Sequence, residues 1–260
     1  MRKRYDRAIA DVLFELRVLS HRSFARHRSI PALLGFSLEQ DDEFKSAGAS
    51  GDVLRPALLL EWAVTDLNRY FLENQEQSPI HCARLVADIT DGLQVMHTYG
   101  LSHADLKPYN MLLYTDASSA YGLVAKLSDF GFPGSGQHQL PVGGDTPHWG
   151  APYREYTIDN TEYPGGVFLF GLVAMFVAVK GNWDFRLNGV GVKDVQTRQA
   201  NIRSALRNHF GNPKDDLSSV SSRTWFRRWD ELLSNTVTAD PEDRLRTRGL
   251  GKVRQNITGR

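Results

Sequence analysis

The stretch from His103 to Asn110, read as HADLKPYN, limits the possible folds of this 260-residue chain more than any other. Upstream, Leu85, Ile89, Leu93 and Met96 recur at helical spacing, so a helix delivers the chain to this segment. Downstream, Met111 to Tyr114 reads as a short apolar strand, and Val124 to Leu127 as its return strand. The return strand leads into Leu127-Ser128-Asp129-Phe130-Gly131, which puts Asp129 nineteen residues after Asn110. One loop thus carries a carboxylate, a lysine and an amide, and the next strand carries a second carboxylate. Phosphoryl transfer asks for that set: a group to orient an acceptor hydroxyl, oxygens for metal ions, and positive charge to meet developing negative charge. A polar connection between a helix and a strand is the plainer reading of the same residues.

The two motifs, in this order and at this distance, resemble the catalytic loop and metal-binding motif of protein kinases. The resemblance implies a role for each position. Asp105 matches the aspartate that accepts or orients the substrate hydroxyl proton, and Lys107 the lysine that contacts the transferring group. Asn110 matches the asparagine that holds a magnesium ion, and Asp129 the aspartate that bridges magnesium to the phosphates. ATP and Mg2+ are the implied cofactors.

The resemblance extends from about residue 5 to residue 250. Ile9, Val12, Leu13, Leu16 and Leu19 give residues 5 to 19 one apolar helical face. Glu15 in this helix resembles the glutamate that pairs with a lysine on the family's third strand. Leu33 to Phe36 resembles the family's fourth strand, and Arg55 to Ala63 its fifth, running into the interlobe hinge. There the backbone of Glu61 and Ala63 is expected to meet the adenine, and Leu112 to pack beneath it. Thr115 to Tyr121 forms a long polar turn. Residues 129 to 155 correspond to the activation segment, rich in glycine and proline. In it, Thr146 to Pro152 resembles the region where peptide substrate docks. Tyr153 follows Ala151-Pro152 where the family has a glutamate. Glu155, two residues later, is expected to pair with Arg244.

Gly165 to Val179 is an uncharged run of fifteen. A membrane-spanning helix needs about 18 or more apolar residues, so this run reads as a fully buried helix, like that at the centre of the kinase large lobe. Helices are also expected around Gln196 to His209 and Arg223 to Val237.

The chain departs from the family in three places. Ala104 replaces an arginine that answers activation-loop phosphate, so activity is not expected to depend on that phosphorylation. Gly166 replaces an aspartate that braces the catalytic loop. A glycine-rich phosphate loop and the third-strand lysine have no counterpart in these residues. Lys3 lies within the helical pattern, and Gly48 and Gly51 fit a turn between strands. The expectation is an N-terminally incomplete piece of a longer kinase; a natural protein that dispensed with the phosphate loop is the alternative.

Composition is that of a globular enzyme. A formal charge of +1 gives no reason to expect nucleic-acid or membrane partners. The single Cys82 excludes an internal disulfide and fits an intracellular, cytoplasmic or nuclear setting. The N-terminus lacks the apolar run of a signal peptide. Arginines near the end read as a solvated basic tail.

The sequence therefore predicts an α+β, protein-kinase-like fold. Residues 1–66 form a reduced small lobe of one helix and two strands with the hinge, and residues 67–260 a mainly helical large lobe. The implied reaction is transfer of the γ-phosphoryl of MgATP to serine or threonine hydroxyls of protein substrates. Asp105-Leu106-Lys107-Pro108 resembles the serine/threonine group more than the tyrosine group. A pseudokinase acting as a binding module and a small-molecule phosphotransferase of the same fold are the alternatives. Oligomeric state is not legible.

Overall fold

The computed structural model describes residues 2–40, 54–103, 105–130, 149, 164–182, 194–211, 220–238 and 249–258. Helix α1 spans Arg2–Ser20, and its inner face ends in Val18 and Leu19, both buried. Lys3 lies in this helix, as the sequence pattern predicts. Strands β1 (Leu33–Gln40) and β2 (Leu54–Leu60) form an antiparallel pair. Leu58 and Leu60 pack towards the core, but Leu34, Phe36, Leu38 and Leu59 are each at least 60% exposed. These four side chains give the β1–β2 pair an uncovered apolar surface. Gly48 and Gly51 lie outside the described residues.

A second sheet has the order β3-β4-β5, from Thr65–Asp66, Met111–Thr115 and Leu123–Leu127. Both of its pairings are antiparallel, with Leu112 opposite Lys126. Asp116 builds the β4–β5 turn. Its Oδ1 accepts from the Ser118 amide at 2.8 Å, and its own amide donates to the Gly122 carbonyl at 2.9 Å. The connection closes at Gly122, whose φ of 70° lies in the left-handed region that glycine adopts without strain.

Helix α2 (Leu67–Glu73) starts at Asp66, whose side chain accepts from the Arg69 amide. Helix α3 (Pro79–Thr98) has Ser78 as its cap and proline in its first turn, where a missing N–H costs nothing. Leu85, Ile89, Leu93 and Met96 are all buried, as their spacing predicts. The helix stops sharply at Gly100, φ 74°. The amides of Gly100 and Leu101 donate back to the carbonyls of His97 and Met96, at 3.1 and 3.0 Å. This double reverse bond satisfies the last carbonyls and turns the chain towards His103.

Helix α4 (Pro164–Ala178) is the uncharged run, and every residue from 167 to 178 is buried. Helices α3 and α6 (Val220–Thr236) pack on it, and α5 (Val195–Phe210) packs on α6. Among the described residues no helix is long and apolar enough to cross a membrane. The chain end differs from a plain basic tail. Leu250–Thr258 forms helix α7, which buries Leu250, Val253 and Ile257 and packs on α3. Arg254 remains on its solvent side, 3.4 Å from Asp91.

Candidate active site

Lys107 is fully extended, and a single 3-10 turn, Pro108–Asn110, follows it. The Asn110 amide closes that turn on the Lys107 carbonyl at 2.9 Å. The turn swings the Asn110 side chain back over the loop. Its Nδ2 donates to the Asp105 carbonyl at 2.9 Å and to Asp105 Oδ2 at 3.2 Å. Lys107 Nζ meets the same Oδ2 at 2.5 Å. Lys107 and Asn110 thus converge on one carboxylate oxygen of Asp105. With Nδ2 committed to Asp105, Asn110 keeps Oδ1 as its acceptor atom.

Asp129 is fixed to this loop through its neighbour. The Asn110 carbonyl accepts twice from Ser128, from the amide at 2.9 Å and from Oγ at 3.0 Å. The Ser128 carbonyl accepts from His103 Nε2 at 3.0 Å. His103 is wholly buried, and burial pushes its pKa down, so the ring stays neutral with its proton on Nε2. Phe130 packs against the His103 ring at 6.0 Å. Between these anchors Asp129 is exposed and adopts φ 56°, a left-handed conformation that aspartate tolerates better than most residues.

Glu15 faces Asp129 from α1. Burial raises the Glu15 pKa, and the charge of Asp129 raises it further. Among the described residues no lysine or arginine forms an ion pair with Glu15. Glu15 and Asp129 thus set two carboxylates near each other. Asn110 Oδ1 and the Asp129 carboxylate suit Mg2+, which prefers such donors.

Glu61 and Ala63, expected at the hinge, follow β2. The Glu61 amide donates to the Ala32 carbonyl at 3.0 Å, and Glu61 Oε1 accepts from the Ala32 amide at 2.8 Å and from Lys126 Nζ. The Glu61 carbonyl and the Ala63 amide have no backbone partner among the described residues. Leu112 stands half-buried on the β4 face opposite Lys126.

Gly166 lies buried in the first turn of α4 and offers no side chain to brace the loop. The loop is held instead from the β5 side, through His103 and Ser128. Glu155 and Arg244 lie outside the described residues, as does all of 131–163 except Trp149, which is buried against Phe176. Sequence reasoning missed Ser128, Lys126 and Asp88. Asp88 sits in the apolar pattern of α3, where it accepts from the Ala125 amide of β5 at 3.2 Å. The available signal was a charge inside an otherwise apolar strand or stripe, which has to find a partner.

An α+β fold with a carboxylate–lysine–amide loop tied to a second carboxylate carries the groups that phosphoryl transfer asks for. The protein kinase domain model matches residues 8–252, and the chain belongs to that family. Its relatives include the serine/threonine-protein kinase/endoribonuclease ire-1 of Caenorhabditis elegans, 28% identical over 81% of this chain and 20% of the relative. The serine/threonine-protein kinase PkaA of Streptomyces coelicolor is 36% identical over 42% of this chain and 21% of its own length. The serine/threonine-protein kinase GIN4 of Saccharomyces cerevisiae is 28% identical over 75% and 16%. The chain spans about a fifth of the length of these relatives.

Proposed function

We propose that this chain transfers the γ-phosphoryl of MgATP to serine or threonine hydroxyls of protein substrates. The convergence of Lys107 and Asn110 on Asp105, with Asn110 bonded to the Ser128 that precedes Asp129, carries the reading. Asp105 takes the hydroxyl proton as the new O–P bond forms and the bond to the ADP oxygen breaks. Lys107 sets positive charge beside the transferring group. Asn110 and Asp129 would hold Mg2+, which neutralises phosphate charge when bound. Glu61 and Ala63 offer a carbonyl and an amide to the adenine edge, with Leu112 below its face.

Among the described residues no cation pairs with Glu15, and this favours a second reading, in which the chain binds nucleotide or a protein partner without turnover. Transfer from labelled ATP to a generic protein substrate separates the two. Turnover that disappears in Asp105→Asn supports the kinase. A cooperatively folded chain with no transfer refutes it and leaves the binding module.

A further inference from the structure

We infer that the Lys126–Glu61 ion pair is a positioning device for the adenine seat. The inference rests on the nucleotide-binding reading above. Both residues are costly to keep. The Lys126 side chain is 13% exposed and that of Glu61 27%. Charges so far removed from water persist only with good partners. Lys126 has two: the Glu61 carboxylate, and the ring of Tyr114, whose centroid lies 4.8 Å from Nζ.

The location of the pair gives it a task. Lys126 lies directly opposite Leu112 across the β4–β5 ladder, so the two side chains share one face. Tyr114, two residues along from Leu112, is on that face as well. Burial and the nearby Glu61 charge push the Tyr114 hydroxyl up to about 12, so the ring under Lys126 stays neutral. Glu61 then links this face to the hinge. The same Oε1 that meets Lys126 also accepts from the Ala32 amide, while the Glu61 amide donates to the Ala32 carbonyl. The hinge backbone is thereby tied to the strand face that carries Leu112. The pair sets the spacing between the backbone that would meet the adenine edge and the side chain that would lie under its face.

Removing the pair is expected to loosen that spacing and leave the phosphate end unaltered. The test uses the whole 260-residue chain and two probes: adenosine, which uses only the base seat, and magnesium tripolyphosphate, which uses only the metal end. Lys126→Met is expected to weaken adenosine about tenfold, and Glu61→Gln similarly. The double variant is expected to be no weaker than about tenfold, because one interaction is lost once. Tripolyphosphate affinity is expected to stay within about twofold, which also certifies the fold. Lys126→Arg keeps the charge and is expected to restore adenosine to within about threefold of the parent. Unchanged adenosine affinity in Lys126→Met overturns the inference alone, as does parallel weakening of both probes. A parent chain that binds neither probe overturns the nucleotide reading and the inference with it.

Discussion

Replacing Gly171 with alanine sets two physical effects against each other. A Cβ at this position would lie 2.2 Å from Thr236 Oγ1, and 2.7 Å from both Thr236 Cβ and Val237 Cγ2. Carbon contacts are comfortable at about 3.5–4.0 Å. Rotating Thr236 does not relieve the overlap. Its hydroxyl is held by the Leu232 carbonyl at 2.8 Å, and the Cβ stays in place whichever rotamer is chosen. Relief requires α4 and α6 to separate by about an ångström in a core where Thr236 and Val237 are fully buried. Overpacking of this kind costs about 1–3 kcal/mol. Alanine in place of glycine returns about 0.5–1 kcal/mol of helix propensity. The net expectation is a loss of about 1–2 kcal/mol, or about 2–8 °C in Tm for a chain of this size. Thermal melts and urea midpoints of the purified chain measure it. The cost should shrink in a Thr236→Ala background, which removes the nearest atom and leaves the others. A Gly171→Ala chain that melts higher than its parent would show that propensity outweighs the contact, and would refute the close approach of α4 to α6.

Two further outcomes follow from buried groups outside the site. Burial raises Asp88 from the usual 3.8 to about 6, against the opposing pull of the Ala125 amide and Arg28. Its folded pKa therefore exceeds the unfolded one, so its contribution is fully present below about pH 4 and is lost as pH rises through about 6, at most about 3 kcal/mol. Asp88→Asn keeps an oxygen for the Ala125 amide and should gain stability over the parent above pH 6 while the two converge at pH 4; an equal difference at pH 4 and pH 7 would rule this out. Ile257→Ala should cost about 2–4 kcal/mol, because α7 is a packed helix; an unaltered urea midpoint would return the chain end to a solvated tail.

Much of the large lobe was legible because its helices bury regular stripes. The spacing of Leu85, Ile89, Leu93 and Met96 fixed α3, and the missing charges in 165–179 fixed α4 as buried on every side. The grouping of Asp105, Lys107 and Asn110 was legible because the three lie within a stretch of six residues. Helix α7 was obscured by the arginines that surround it in the sequence, although Leu250, Val253 and Ile257 already stand at helical spacing. The Lys126–Glu61 contact joins residues 65 apart, and no local pattern encodes such a pairing. Glu15 matched the family by position, but its surroundings differ: the structure sets it opposite Asp129, and position in a sequence does not reveal which charge a side chain will face.

The double acceptance by the Asn110 carbonyl bears on how this site opens. Both Ser128 donors come from the end of β5, next to Leu127, which is fully buried. Local opening is cheap where backbone bonds face water and expensive where they are shut in by core. The Ser128 amide should therefore exchange its hydrogen only through the largest unfolding event of the lobe. The exposed rim around Asp129 is free to exchange faster, while the seam joining the Asp105–Asn110 loop to its sheet shares the lifetime of the folded structure itself.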